Sequence, residues 1–190
     1  MSSQTPSPTL DAQSADDLAG PLGAFWADEE VTYKNSPFLP LKQLSSRKKG
    51  AEFERIFEHH ARAAGYVVTR ADSSNYDRRA DSHRVEVKGS FQWAGTGQFR
   101  WQQIRVDQEY DYVVFLAVYP DRVEFYACTH ETAKRELQKQ NAAGDWVHNQ
   151  HGGKSTDSGT YFIDGRPADF PWLQPLSAVL PAPSSTVALS

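Results

Sequence analysis

The stretch Asn75-Tyr76-Asp77-Arg78-Arg79-Ala80-Asp81-Ser82-His83-Arg84-Val85-Glu86-Val87-Lys88 decides the fold. Asp81-Ser82 reads as a two-residue hairpin loop. Ala80 then pairs with His83, Arg79 with Arg84, Arg78 with Val85, and Asp77 with Glu86. Side chains alternate along a strand, so Glu86 and Lys88 share one face and Val85 and Val87 the other. Directly opposed residues hold their Cβ atoms roughly 4.5–5.5 Å apart. Asp77 and Glu86 therefore meet, with Lys88 one step along.

Facing carboxylates repel and destabilise a hairpin. A divalent cation between them reverses the sign. An all-oxygen donor set favours Mg²⁺, with Mn²⁺ as a substitute, and the Val87 carbonyl is a plausible further ligand. Such a metal lowers the pKa of bound water and offsets charge on a pentacovalent phosphorus. Lys88 is placed to orient or activate that water and to steady the phosphate. The same residues also fit a solvated edge hairpin balanced by Arg78, Arg79, Arg84 and Lys88. A one-residue slip would part the two acids. Asp81 competes as the first acid, but five residues before Glu86 it suits a turn better.

Working outward, Phe53, Ile56, Phe57, Ala61 and Ala64 fall three and four apart. That spacing predicts a helix over 48–64, capped by Ser45 or Ser46 and ended by Gly65. Residues 66–69 read as a short strand, and 99–108 as a helix with Trp101 and Ile104 packed inward. The apolar run 112–119 predicts a doubly covered central strand. Pro120-Asp121 is a turn, 122–128 a neighbouring strand, and Thr129 the cap of a helix over 130–143. Residues 145–175 read as loop-rich, with Asp164-Gly165 as a turn. The expected fold is α/β, a mixed central β-sheet flanked by helices.

The chain has 190 residues, enough for one domain with tails, and 23 aromatic rings supply its core. Residues 1–22 lack periodicity and are expected to be a disordered leader; 23–180 form the domain, and 181–190 a second loose tail. The N-terminal stretch has no secretory pattern, and no run approaches a membrane span. A lone cysteine, Cys128, excludes an internal disulfide, and a cytoplasmic location is the default.

Net charge is −4, which at first argues against nucleic acid. Residues 1–30 carry six acids and no base, whereas residues 42–105 carry 13 bases and 7 acids. The basic block surrounds the hairpin, and phosphate binding needs such concentration. Arg78, Arg79, Arg84, Arg100 and Arg105 are candidate phosphate contacts, and Arg47, Lys48 and Lys49 precede the helix. A second candidate is 149–155, where Asn149, His151 and Lys154 flank paired glycines that allow close approach to a ligand. An ordinary surface ion pair for each arginine, and a flexible connection for the loop, are the alternatives.

Gly50-x-x-Phe53-Glu54 on a first helix, a short strand, an aspartate about ten residues before Glu-x-Lys, and a buried strand beyond resemble the PD-(D/E)XK nuclease superfamily. Within it they are similar to the type II restriction-endonuclease-like group. The resemblance covers roughly 48–130. By position, Asp77 matches the metal-binding aspartate, Glu86 the acid of the Glu-x-Lys element and Lys88 its lysine. Glu54 matches the glutamate many members place on the first helix near the metal. Gln103, or Gln102, matches a polar residue beyond Glu-x-Lys that touches water or phosphate. Tyr76 stands where the name motif has proline. The resemblance implies a Mg²⁺-dependent endonuclease acting on double-stranded DNA, in a restriction role, with a homodimer among the arrangements open to it. A non-catalytic nucleic-acid-binding module of the same fold, and a structure-specific repair or recombination nuclease, are the alternatives.

Overall fold

The Asp81-Ser82 hairpin forms in the register expected from its turn chemistry. In the computed structural model, which describes residues 31–150 and 159–184, Arg78–Ala80 (β2) pairs antiparallel with His83–Phe91 (β3). Ala80 lies opposite His83, Arg79 opposite Arg84 and Arg78 opposite Val85. Asp81 adopts φ +51°, the left-handed conformation that such a loop demands and that Asp tolerates. Its carboxylate also accepts the Val67 N–H at 2.8 Å, tying the loop to the preceding strand.

Around the hairpin, a short helix Leu39–Lys42 (α1) precedes the long helix Ser46–Ala63 (α2) and the strand Val68–Arg70 (β1). Phe99–Arg105 (β4), Tyr112–Val118 (β5) and Val123–Thr129 (β6) follow, then the helix His130–Leu137 (α3). Thr160–Gly165 (β7), Gln174–Pro175 (β8) and Leu176–Val179 (α4) complete the described elements. Six strands form one mixed sheet in the order β1-β2-β3-β5-β6-β8, with β3 and β5 parallel and the other pairs antiparallel. β5 is buried over most of its length because both faces are covered. The fold is α/β with a mixed central sheet flanked by helices.

Alternation sorts the sheet's side chains into two cores. Val85, Val87, Val114 and Leu116 pack against Phe53, Phe57 and Ala61 of α2 and Leu176 of α4. Val113, Phe115 and Ala117 point the other way, against Ala133 and Leu137 of α3 and against β4 and β7. Gly89 is required where α2 crosses β3: a Cβ there would sit 2.3 Å from the Phe53 ring. Gly65, at φ +99°, ends the α2 segment as expected.

Three expectations are corrected. Residues 99–105 form a strand rather than a helix, paired antiparallel with β7 in a second, two-stranded sheet. A bulge between Trp101 and Ile104 inserts a residue, so buried positions spaced two apart become spaced three apart and imitate a helical face. α3 stops at Leu137 rather than 143, because Gln140 forms a bridge with Trp146 and turns the chain back. Asp164-Gly165 ends a strand, with Gly165 opposite Phe99 and Asp164 opposite Arg100. The leader 1–22, His151, Lys154 and residues 185–190 lie outside the described residues.

Candidate functional site

β2 begins at Arg78, opposite Val85, whereas β3 runs on to Phe91, so β2 pairs with no residue of β3 beyond Val85. Asp77 caps this step. Its N–H donates to the Val85 carbonyl at 3.0 Å, and its carboxylate accepts the Val87 N–H at 2.8 Å. A residue in an extended strand projects its N–H and C=O from the same edge, so the Val87 carbonyl leaves on the Asp77 side. Tyr76, where the resemblance had led to proline, is a buried core residue whose hydroxyl donates to Asp72 at 2.6 Å.

Glu86 is the central group. It is only 5% exposed, and the Lys88 ammonium lies 2.6 Å from its carboxylate. Burial pushes its carboxyl up to about 7, against the opposing pull of Lys88 and with further help from the Asp77 charge. A carboxylate with a lysine this close would ordinarily ionise easily. Here desolvation, which disfavours the charged form, outweighs that attraction. The Asp77 and Glu86 carboxylates stand close enough to interact, on the strand edge from which the Val87 carbonyl leaves. Among the described residues no group of three or more His, Cys, Asp or Glu side chains is arranged to hold a metal.

Glu54 projects from α2 toward the same region. Burial and the Asp77 charge raise its carboxyl, and Arg78 and Lys88 oppose them. Arg78 binds Glu54 at 2.6 Å and Glu58 at 3.1 Å. Its side chain is 12% exposed, so offering it to phosphate would break two partly buried ion pairs.

A cleft of about 510 Å³ opens beside this centre. Val87 and Lys88 form one wall, Lys42, Lys49 and Phe53 another, and Arg100, Gln102 and Gln103 a third. None of its lining residues is acidic. Lys42 stands 3.9 Å above the Tyr33 ring, and Lys49 lies 5.7 Å from the Phe91 ring. Burial and then the Lys42 charge pull the Lys49 ammonium below its ordinary value.

Neither a family model nor a curated protein sequence matches the chain. A bacterial homing endonuclease of known structure, I-Ssp6803I, is similar to part of it. The identity is 21% and the TM-score 0.37, over 46% of this chain and 67% of that one.

The remaining candidates scatter. Gln103 takes φ +57° at the β4 bulge and donates its N–H to the Gln150 side chain at 2.7 Å, on the cleft wall. Arg100 also lines the cleft and forms an ion pair with Asp164. Arg79 binds Asp72 and the Tyr76 hydroxyl, Arg84 binds Asp111 at 2.9 Å, and Arg105 binds Asp107 at 3.2 Å. Asn149 is buried, bridging to Tyr161, rather than presented on a surface loop. Sequence reasoning missed Lys42 and Trp93, both on the cleft wall. Lys42 carried no signal. Trp93 had one: a large ring set among Gln92, Ala94, Gly95 and Gly97, where no core pattern calls for it. No helix among the described residues is long and apolar enough to cross a membrane.

Proposed function

We propose that this chain is a divalent-metal-dependent endonuclease of the PD-(D/E)XK type that hydrolyses phosphodiester bonds in DNA. The observation that carries the reading is Glu86, a buried carboxylate set beside Asp77 and bound by the Lys88 ammonium at 2.6 Å, next to a cleft with no acid in its lining. The donor set suits Mg²⁺ or Mn²⁺, with Asp77, Glu86 and the Val87 carbonyl as its holders. When bound, such an ion supplies Lewis acidity and a more acidic water.

The chain's own residues do the rest. Asp77 is locked in place by the Val87 N–H, so its carboxylate costs little further ordering when a ligand arrives. Lys88 is held by Glu86 at the cleft wall, where an ammonium steadies charge on a phosphate oxygen or orients the attacking water. In the reaction a water oxygen bonds to phosphorus as the bond to one ester oxygen breaks; the attacking water loses a proton to solvent and the departing oxygen takes one up from solvent to leave as an alcohol. Lys42, Lys49 and Arg100 neutralise the backbone phosphates of the strand in the cleft. Glu54, once released from Arg78, is an accessory carboxylate. A restriction role, with a dimer cutting both strands, belongs to this reading.

Nicking of supercoiled plasmid in Mg²⁺ tests it. Wild type nicks and linearises DNA, and Glu86→Ala and Lys88→Ala lose roughly a hundredfold or more of that activity. Variants that cut as well as wild type overturn the assignment. A second reading, a DNA-binding module without cleavage, is favoured by the Lys88–Glu86 ion pair, which occupies one of the two acids. It predicts salt-sensitive DNA retention and no nicking.

A further inference from the structure

The ribbon formed by β4 and β7 turns one face to the core and the other outward. Phe99, Trp101, Ile104, Tyr161 and Ile163 pack inward. Arg100, Gln102, Gln103 and Arg105 of β4 are exposed, and Phe162 and Asp164 of β7 alternate onto the same outer face. A regular strand would send Gln102 and Gln103 to opposite faces. The bulge prevents this. Trp101 pairs with Ile163 and Ile104 with Tyr161, so both glutamines stand against Phe162 alone, and both are exposed.

Gln103 carries the bulge at φ +57°, a left-handed conformation that glycine adopts freely and glutamine rarely. Its N–H leaves the ladder and donates to the Gln150 side chain at 2.7 Å, while the Gln150 N–H donates to the Thr160 carbonyl at 3.0 Å. A merely polar surface needs neither a bulge nor a long side chain at its tip. No hydrogen bond within the described residues engages either side-chain amide. The bulge thus presents two adjacent amides on a braced support, at the wall of the cleft that Lys88 also lines.

An amide sets one donor beside one acceptor. In duplex DNA that pair matches the N6 amino group and the N7 of adenine, both displayed in the major groove. The groove is about 12 Å wide and admits a two-stranded ribbon, whose strands lie about 4.8 Å apart. Phe162, against the two amides, supplies the apolar surface that meets a thymine methyl in the same groove. Lys49 lines the cleft too, with its ammonium 5.7 Å from the Phe91 ring, and the lining holds no acid to repel a duplex. Duplex RNA offers no equivalent, because its major groove is too deep and narrow for side chains to read.

We infer that the outer face of the β4–β7 ribbon lies in the major groove of duplex DNA, with the Gln102 and Gln103 amides on adenine edges beside the bond that is cut. This rests on the nuclease reading and narrows its substrate to duplexes with adenine at that place.

The test is selection of the tightest binders from a pool of random DNA duplexes by the full chain in chelator, where no cleavage occurs. Wild type enriches duplexes with adenine fixed at one or two adjacent positions. Replacing that adenine by 7-deazaadenine keeps the base pair, removes the N7 acceptor and weakens binding about tenfold, the scale of one bidentate base contact. Replacing it by 3-deazaadenine, which differs only in the minor groove, has no such effect. Gln102→Ala with Gln103→Gly brings the affinities for the adenine and 7-deazaadenine duplexes within about twofold of each other. Glycine suits the left-handed position, so Gln103→Gly removes the amide and keeps the bulge. A thermal melt within a few degrees of wild type shows that the variant is folded. Gln102→Ala alone, at an exposed position, loses part of the discrimination and serves as the second variant. A pool without a fixed adenine, indifference to 7-deazaadenine, equal sensitivity to 3-deazaadenine, full discrimination in the folded variants, or tighter binding to the matching RNA duplex each overturns the inference. Adenine-dependent binding in a chain that never nicks plasmid removes the nuclease reading alone. Nicking without base preference removes only this inference.

Discussion

Two basic hollows lie against helix α2, and they differ in what their charges are already doing. The larger, walled by Lys42, Lys49, Lys88 and Arg100, has no acid in its lining. The smaller, of about 380 Å³, gathers Arg55, Arg62, Arg70 and Arg78 around Glu58. Glu58 binds Arg62 at 2.8 Å and Arg78 at 3.1 Å, and Arg55 pairs with Glu52 at 2.6 Å. A tally of cations ranks the second hollow as high as the first. The comparison teaches that the smaller hollow spends its arginines on internal acids, whereas in the larger one Lys42 and Lys49 rest on aromatic rings and Lys88 and Arg100 pair with Glu86 and Asp164, acids outside the cleft lining. Burial and like charge also mark Lys49.

The comparison breaks most visibly at Arg78, which belongs to the smaller hollow and leans on Glu54 of the proposed site. Arg78→Ala leaves the half-buried Glu54 carboxylate without its cation and Glu58 with Arg62 alone, and is expected to cost about 2 kcal/mol of stability, read by urea denaturation. An unchanged midpoint would mean that the ion pairs are slack and Arg78 is free to serve DNA.

Next in size is DNA affinity. Lys42→Gln with Lys49→Gln lowers duplex affinity about tenfold and flattens the slope of log affinity against log salt by about two. Arg55→Gln with Arg62→Gln changes the affinity less than about twofold. Equal losses from the two pairs would erase the distinction between the hollows.

The hairpin carried most of what the sequence could reveal. A two-residue loop able to take φ above zero, flanked by alternating residues, set the register and hence the meeting of Asp77, Glu86 and Lys88. α2 was legible from its apolar spacing and its glycine stop. β4 was not, because one inserted residue turned a period of two into an apparent period of three. The cleft was illegible for another reason. Its walls come from three separate segments, around Lys42 to Phe53, Val87 to Trp93, and Arg100 to Gln103, and no local pattern records that they meet. The fate of Arg78 was hidden likewise, since its partners lie 20 and 24 residues away.

The smallest expected effect sharpens the role of Glu86. Its folded pKa of about 7 stands above the ordinary carboxylate value. Between about pH 4.5 and 7 the folded state therefore holds more protons than the unfolded one, and metal-free stability falls as pH rises through that window. In chelator, Glu86→Gln is expected to be more stable than wild type at pH 8 by about 1 kcal/mol and to lose that advantage by pH 5. Melting curves at the two pH values decide it. An advantage independent of pH would place its origin elsewhere.

The central claim is that Asp77 and Glu86 form a place for a divalent cation, and titration calorimetry with Mn²⁺ at pH 8 tests it most directly. Wild type takes up the ion at a saturable site, and Glu86→Gln and Asp77→Asn, verified as folded, take up none there. A wild type that binds no Mn²⁺ with or without DNA, or variants that bind it as wild type does, would contradict the account.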